Sequence, residues 1–239
     1  MSKSVKIILV TVIILLIIVA GIASYLVYNS YQEYKLREEI GKLSETNTNT
    51  DKTMDGKYGE LEVQIKKDFK EFVDRANELS QLYVDYNDIK ALSPVTYSSD
   101  GPEFTNTKQK VSENDAKRKE VIAALTNLSD ESKMEERLNA ANISGMHRDL
   151  YKKIFDELEI KSAVKSIAEN EEDFLKHSQG VIKILDYLTA NKDKWYIKDN
   201  MLTSTDQAFI DEYNNQIKVL ETEEEQNQEN TQTQESTQN

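Results

Sequence analysis

The stretch that decides the fold is residues 162–191, SAVKSIAENEEDFLKHSQGVIKILDYLTAN. Apolar side chains stand seven residues apart along it, at Ile167, Phe174, Val181 and Leu188. Heptad spacing places these side chains on one face of a helix, where they pack against neighbouring helices. The pattern covers only about four heptads, so by itself it fits a bundle helix as well as a coiled-coil dimer. We interpret it as one helix of an intramolecular bundle, because neighbouring helices of similar length offer partners within the chain. The alternative is a homo-oligomer in which chains associate through residues 162–191.

The segments around this stretch carry helical patterns of the same kind. Apolar residues recur at steps of three and four in residues 57–92, 107–128, 130–158 and 204–220. The chain has 7 glycines and 2 prolines in 239 residues, a composition that favours helices over sheets. We therefore expect an all-α fold built on an antiparallel bundle of about four to five helices.

Two interruptions divide the helical pattern. Ser93-Pro94 is expected to end the long helix, because proline disfavours helical geometry in the residue before it. Residues 95–106 then follow as a predicted loop. The apolar pattern slips in phase at residues 142–145, which predicts a kink or a short break there.

The C-terminal part of the chain departs from this pattern. Residues 195–204 contain two short β-prone runs around a turn-prone centre, which predicts a small β-hairpin. Ser204 with Gln207 fits a capping box that would open the last helix. Residues 221–239 are rich in Glu, Gln, Asn and Thr and hold no apolar side chain, so we expect a disordered acidic tail.

The N-terminus carries an uncharged apolar run at residues 7–28, preceded by Lys3 and Lys6. A bilayer core requires about 20 helical residues, so this run predicts a single transmembrane helix and a lipid bilayer as partner. The alternative is a signal peptide cleaved after Ala23, which would release a secreted soluble bundle acting as an effector or an inhibitor.

Tyrosines recur every third residue at the end of the apolar run, at Tyr25, Tyr28, Tyr31 and Tyr34. Tyrosine prefers the headgroup boundary of a membrane, so we expect these rings to form an interfacial belt. The short basic N-terminus favours an orientation with the N-terminus inside and the C-terminal domain extracytoplasmic.

These patterns predict four regions along the chain. They are the basic start and transmembrane anchor, the juxtamembrane helix and polar linker, the helical-bundle domain and the disordered tail, at residues 1–28, 29–56, 57–220 and 221–239.

Composition excludes several classes of protein. The net charge is −13, and phosphate backbones repel so acidic a chain, so we expect no nucleic-acid partner. The chain has no cysteine, which excludes disulfides, thiolate metal sites and a lipid-modified cysteine. The sequence contains no phosphate-binding glycine loop, no nucleophile elbow and no zinc-binding helix. We predict no enzymatic activity and assign no catalytic, cofactor-binding or metal-binding residue.

One segment resembles a calcium-binding loop in its spacing. Asp51, Thr53, Asp55 and Gly56 are followed by Glu62 at the twelfth position, where such loops place a bidentate glutamate. Thr53 is a weak ligand, and the preceding residues look like a loop and not an incoming helix. The favoured interpretation is a polar linker whose Asp-Gly turn introduces the next helix.

Two polar residues fall on the heptad helix near its apolar face, Glu171 and Ser178. The favoured interpretation is that a seam edge near solvent accepts them or that they set the register of the helix, and the alternative is that they line a polar cavity between helices. In a structural bundle, replacement of both by leucine is expected to preserve or increase stability. His147 and His177 are expected to be packed or solvated. Four aromatic residues at helical spacing are expected in the core and not in a ligand pocket: Phe69, Phe72, Tyr83 and Tyr86.

The sequence thus favours a membrane-anchored, extracytoplasmic helical-bundle protein that binds or scaffolds an unknown protein partner. Its few arginines and many asparagines and isoleucines indicate an AT-rich bacterial coding sequence, and hence a bacterial cell envelope. The alternative from another class is an enzyme or small-ligand binder with a polar cavity between its helices.

Overall fold

A computed structural model describes the backbone of residues 25–236 and the side chains of residues 25–221. Within these residues the fold is mostly helical, with eight helices and one sheet of two strands, which confirms the predicted helical class. The helices are α1 (residues 25–40), α2 (Gly56–Ile89), α3 (Pro94–Asp100), α4 (Thr105–Ser129), α5 (Glu131–Ala140), α6 (Met146–Glu157), α7 (Ile160–Ala190) and α8 (Gln207–Ser236).

Most of the predicted membrane span, residues 7–28, lies outside the described residues. In residues 25–236 we find no helix with the length and apolar character needed to cross a bilayer.

The described chain forms two compact units. The first contains the residues up to Val73 together with Glu131–Ile160, and the second contains Asp74–Asp130 together with the residues from Lys161 onward. Each unit has its own buried apolar side chains, so each has a core.

The core of the first unit combines side chains from α1, α2, α5 and α6. The aromatic rings of Tyr151 and Phe155 stack with their centroids 5.6 Å apart. Around them lie fully or nearly fully buried aliphatic side chains: Leu36, Ile40, Leu61, Ile65, Met134, Leu138 and Ile154.

The core of the second unit is centred on the C-terminal half of α7. Val181 and Leu188, two members of the predicted heptad face, are 3% and 0% exposed within this chain. They belong to a cluster of buried apolar side chains with Tyr97, Phe104, Ile184, Leu185, Phe209 and Leu220. Burial inside one chain supports the intramolecular interpretation of these heptad positions.

The predicted hairpin is confirmed as β1 (Tyr196–Lys198) and β2 (Met201–Thr203), which pair in antiparallel register. Asp199 and Asn200 link the strands with φ values of 51° and 63°, as a tight two-residue hairpin turn requires. The Trp195 side chain fixes the hairpin beside α7, because its Nε1–H donates to the Leu188 carbonyl at 2.8 Å.

The predicted loop at residues 95–106 is wrong over its first half, where α3 forms. Ser93 caps α3, because its Oγ accepts a hydrogen bond from the Thr96 backbone N–H at 3.3 Å. Pro94 opens the helix, and a proline is tolerated in the first turn because its missing N–H has no partner there. The break predicted at residues 142–145 is confirmed, since α5 ends at Ala140 and α6 begins at Met146.

The last helix begins later than the capping box predicts. Asp206, and not Ser204, accepts the capping hydrogen bond, from the Phe209 backbone N–H at 3.1 Å. The helix continues to Ser236, through most of the segment that the sequence predicts to be disordered. Glu and Gln are good helix formers, so the composition of this segment is compatible with a helical backbone.

Candidate functional site

The second unit buries an ion pair between α4 and α7. Glu171, one of the two polar residues on the heptad helix, is 2% exposed, and Arg118 on α4 is fully buried. The Arg118 guanidinium donates through Nε to Glu171 Oε1 at 2.6 Å and through Nη2 to Oε2 at 2.7 Å. This two-pronged geometry is the strongest form of the arginine–carboxylate interaction.

Two aromatic rings contact the Arg118 guanidinium. Its central carbon lies 3.8 Å from the centroid of the Tyr83 ring and 3.5 Å from that of Phe174. The Tyr83 hydroxyl also donates to Glu171 Oε2 at 3.1 Å. Burial, together with the negative charge of Glu171, raises the pKa of Tyr83. The cation is therefore stabilised by two aromatic rings that are perpendicular to each other and by a carboxylate at its edge.

The second polar residue of the heptad helix also pairs with α4. Ser178 is fully buried, and its hydroxyl donates to Asp115 Oδ2 at 2.7 Å. Burial raises the pKa of Asp115, although the hydrogen bond from Ser178 and the positive charge of Arg118 oppose the shift. We call the five residues Tyr83, Asp115, Arg118, Glu171 and Ser178 the Arg118 cluster.

The Arg118 cluster corrects one expectation from the sequence. Leucine in place of Glu171 and Ser178 was expected to be harmless in a structural bundle. In the structure it would leave the fully buried Arg118 without a counter-charge. Removal of one member of a buried ion pair is strongly destabilising, so the geometry predicts a loss of stability instead.

Arg118 is the buried charged residue of this cluster that sequence reasoning missed. The signal that could have revealed it is phase: Arg118 lies seven residues after Val111 and three before Val121, in line with the buried face of α4. A charged side chain on an apolar helix face needs a buried partner of opposite charge. The sequence places Glu171 on the matching face of α7.

The first unit contains a second buried ion pair, between Glu62 and Lys66. Their side chains are 0% and 5% exposed, and the Lys66 ammonium donates to Glu62 Oε1 at 2.6 Å. The same carboxylate accepts from the backbone N–H groups of Thr53 at 3.0 Å and Met54 at 2.9 Å, and from the Thr53 hydroxyl at 2.7 Å. Burial alone would raise the pKa of Glu62, but these hydrogen bonds outweigh it and lower the pKa.

These contacts favour the linker interpretation of the calcium-like segment. Glu62, the residue that would close a calcium loop, binds the Lys66 cation, and Lys66 also donates to the Asp51 carbonyl at 2.9 Å. Gly56 has a φ of +61°, in agreement with the predicted turn into α2. Among the side chains that the structure describes, no group of three or more histidine or acidic residues could hold a metal ion.

A third buried carboxylate, Asp68, lies on the next turns of α2. It accepts hydrogen bonds from the hydroxyl of Tyr151 on α6 and from Gln64 Nε2, the latter at 3.0 Å. Its Oδ1 also lies 3.3 Å from Nε of Arg137 on α5. Burial, followed by the charge of Asp68, raises the pKa of Tyr151. Asp68 thus joins three helices of the first unit.

Both histidines are packed against aromatic rings. The His147 ring meets the Tyr58 ring edge-on at 4.7 Å between centroids, and burial with the nearby Lys57 charge lowers the pKa of His147. His177 lies 6.4 Å from Tyr86 and 6.2 Å from Phe174. Of the four aromatic residues predicted in the core, Tyr86 is buried and the other three are half-buried: Phe69, Phe72 and Tyr83.

An open groove of about 340 Å³ runs between α7 and α8 in the second unit. Lys176, Lys183 and Val219 are among its lining residues, and Glu171 and Ser178 are not. The polar residues that the sequence considered for a cavity therefore lie outside this groove, within the Arg118 cluster.

The first turns of α1 expose a continuous set of apolar and aromatic side chains. Tyr25, Tyr28, Tyr31 and Tyr34 are 54–66% exposed, and Leu26 and Val27 are 59% and 70% exposed. Further along the same helix, Leu36 and Ile40 are 0% and 4% exposed. The helix thus passes from an exposed aromatic segment into the core of the first unit.

Within each unit, the buried charged groups bind partners of the same unit. The Arg118–Glu171 pair connects α4 with α7, and the Glu62–Lys66 pair lies within α2. Comparison of the chain with protein-family models, with curated proteins and with solved structures finds no match.

Proposed function

We propose that this chain is a single-pass membrane protein of a bacterial cell envelope, with an extracytoplasmic helical domain that binds or scaffolds another protein. Residues 7–28 would form the anchor, and the helices from α2 onward would form the presented domain as an antiparallel bundle. In this proposal the protein is not an enzyme, and its partner is a protein that the sequence does not identify.

The observation that carries the proposal is the exposure pattern along α1. Residues 25–28 belong both to the uncharged apolar run and to α1, and their side chains are 57–70% exposed. An exposed patch of apolar and aromatic side chains marks a surface that another apolar medium covers. Tyrosine in particular favours the boundary between headgroups and hydrocarbon. Residues 7–24, which immediately precede this patch, are apolar, and the whole run of residues 7–28 is long enough to span a bilayer as a helix.

The buried ion pairs support a scaffolding role for the presented domain. Arg118 and Glu171 connect α4 with α7, and Glu62 fixes the segment before α2 through the backbone N–H groups of Thr53 and Met54. The pair between α4 and α7 penalises any other register of these two helices, because a shift would leave a charge unpaired. Helices held in one register present a surface of fixed shape, as recognition of a protein partner requires.

The second candidate, a ligand-binding cavity, draws on two buried atoms. Arg118 Nη1 and Asp115 Oδ1 have no hydrogen-bond partner among the described protein atoms. A small polar ligand or water molecules could satisfy both atoms. We favour the scaffold because Glu171 and Ser178 are already bound to protein groups.

Protease treatment of intact cells stripped of their outer wall tests the proposed topology. One variant carries an epitope between Asp199 and Asn200, at the exposed hairpin turn, where an insertion is tolerated. The matched control carries the same epitope directly after Met1. We expect the protease to remove the hairpin epitope and to leave the N-terminal epitope intact. The reverse result would overturn the extracytoplasmic orientation.

A further inference from the structure

The turn between α5 and α6, residues 141–145, lies beside the start of α1. The Tyr25 hydroxyl is 3.5 Å from Sδ of Met146, the first residue of α6, and Asn29 Nδ2 is 3.9 Å from the same sulfur. Tyr58 strengthens this junction, because its hydroxyl donates to the Asn29 carbonyl at 3.3 Å and its ring contacts His147. The N-terminus of α6 is thus fixed at the level of Tyr25 and Asn29.

A second contact fixes the direction of α6 relative to α1. Arg37, two turns after Asn29, forms an ion pair with Glu157 at the last residue of α6. Eight helical residues from Asn29 to Arg37 span about 12 Å, and eleven from Met146 to Glu157 span about 16 Å. The two helices therefore run side by side in the same direction, with both N-terminal ends at one end of the first unit.

The turn at this end carries no charge of its own. Two cations contact its backbone: Lys57 donates to the Asn142 carbonyl at 3.4 Å and Arg148 to the Ile143 carbonyl at 3.1 Å. Residues 138–146, LNAANISGM, contain no ionisable side chain, although 31% of the residues in the whole chain are charged. Ser144 is exposed, and Met146 is 42% exposed. Anionic headgroups repel an acidic protein surface, whereas a neutral turn whose backbone is contacted by two cations can approach a membrane closely.

We propose that the turn of residues 141–145, with Met146, rests in the headgroup layer of the bilayer, so that the first unit sits directly on the membrane. The inference rests on the proposed anchoring of residues 7–28. Tyr25 lies within the apolar run and hence no higher than the headgroup boundary. Met146 contacts Tyr25, so it lies at nearly the same depth. The occupant of this surface is lipid, at the boundary between headgroups and acyl chains.

Depth-dependent quenching tests this placement, and the absence of cysteine from the chain makes single labelling sites straightforward. The full chain is reconstituted in phosphatidylcholine vesicles that carry a nitroxide on the choline headgroup. A small fluorophore is attached to Tyr25→Cys, to Ser144→Cys or to Met146→Cys. The control site is Asp156→Cys, an exposed position at the opposite end of α6, about 15 Å from Met146 along the helix. Circular dichroism verifies the helical content of each variant.

We expect strong loss of emission at Tyr25→Cys, Ser144→Cys and Met146→Cys, and little loss at Asp156→Cys. Quenching at Tyr25→Cys alone would overturn the placement of the turn and leave the anchor intact. Equal quenching at Asp156→Cys would overturn the upright arrangement of α6. A chain that fails to float with the vesicles would overturn the anchor itself. Ser144→Cys is a conservative exchange at an exposed site, so it reports on the turn even if Met146→Cys fails to fold.

Discussion

Arg118 and Glu171 lie 53 residues apart in the sequence and form a two-pronged ion pair in which neither side chain is more than 2% exposed. Desolvation of two charges is costly, and bidentate hydrogen bonds and two flanking aromatic rings offset that cost. The pair fixes α4 against α7 within the second unit. Of the roles that the sequence allowed for Glu171, an internal contact that sets helix register agrees with this geometry.

Replacement of Glu171 by leucine tests this role. We expect Glu171→Leu to lower the free energy of unfolding by about 3–5 kcal/mol, because Arg118 remains buried without a counter-charge. Denaturant unfolding followed by circular dichroism measures the change. The double variant Arg118→Met/Glu171→Leu removes both charges and is expected to recover most of the loss.

Glu172→Leu is the matched control for this experiment, since Glu172 is the next residue on α7 and its side chain is 74% exposed. We expect little change in stability from this control. If Glu171→Leu proved as harmless as Glu172→Leu, the Arg118 cluster would not stabilise the fold.

Replacement of Glu62 by glutamine tests the second buried pair. Glu62→Gln leaves Lys66 without its counter-charge and turns an amide N–H₂ towards backbone donors, so we expect a loss of about 3–5 kcal/mol at neutral pH. Glu60→Gln, on the exposed Lys57–Glu60 pair of the same helix, serves as control and is expected to change little.

The same pair predicts a pH dependence of stability. The folded pKa of Glu62 is lowered, so its stabilising contribution is complete above the unfolded pKa of about 4.3 and disappears as the pH falls through the folded value. The stability difference between wild type and Glu62→Gln should therefore narrow below about pH 4. A difference that stays constant down to pH 2 would contradict the lowered pKa of Glu62.

Calcium provides a separate test of the segment from Asp51 to Glu62. Because Lys66 and three other donors occupy the Glu62 carboxylate, we expect millimolar calcium to leave the Tm unchanged relative to a chelator control. A ligand that binds only the folded state raises the Tm. An increase in Tm with calcium, absent from Glu62→Gln, would instead assign a calcium site to this segment.

The pKa of Asp115 is shifted in the opposite direction to that of Glu62, so its effect on stability has the opposite pH dependence. Burial raises its folded pKa, so its contribution favours the folded state below the unfolded pKa of about 3.9 and becomes unfavourable as the pH rises through the folded value. We expect Asp115→Asn to stabilise the protein at pH 7 by on the order of 1 kcal/mol or less, and to have no such effect at pH 3.

Ser178→Ala is the control for Asp115→Asn, since it removes the hydroxyl donor and keeps the carboxylate. It should lower the free energy of unfolding by about 1 kcal/mol at pH 7. Destabilisation by Asp115→Asn at pH 7 would show that the charge of Asp115 is favourable in the fold, contrary to its raised pKa.

The local elements of the fold could be predicted because they depend on neighbouring residues. Heptad spacing predicted a helix over residues 162–191, and α7 covers Ile160–Ala190. The turn residues Asp199 and Asn200 likewise determined the hairpin. The predicted cap of the last helix is wrong: the sequence indicated Ser204, but Asp206 caps α8. Local sequence did not decide between caps two residues apart.

Only the residues that α7 contributes to the Arg118 cluster could be predicted from the sequence. Periodicity placed Glu171 and Ser178 on the packed side of α7, and both are buried. Their partners, Arg118 and Asp115, belong to a helix 53 or more residues earlier, and no local pattern states which helix faces α7. The sequence therefore could not show that Arg118 and Asp115 occupy the space beside Glu171 and Ser178.

The mass of the membrane-bound chain tests the central claim of membrane anchoring most directly. Membranes from cells that express the protein are washed in alkaline carbonate, which strips peripheral proteins, and intact-mass spectrometry is applied to the pellet. We predict a chain that retains residues 7–28 and resists the wash. A chain that begins at Ser24 and appears in the soluble fraction would contradict the account, because it would show that the apolar run is a cleaved signal peptide.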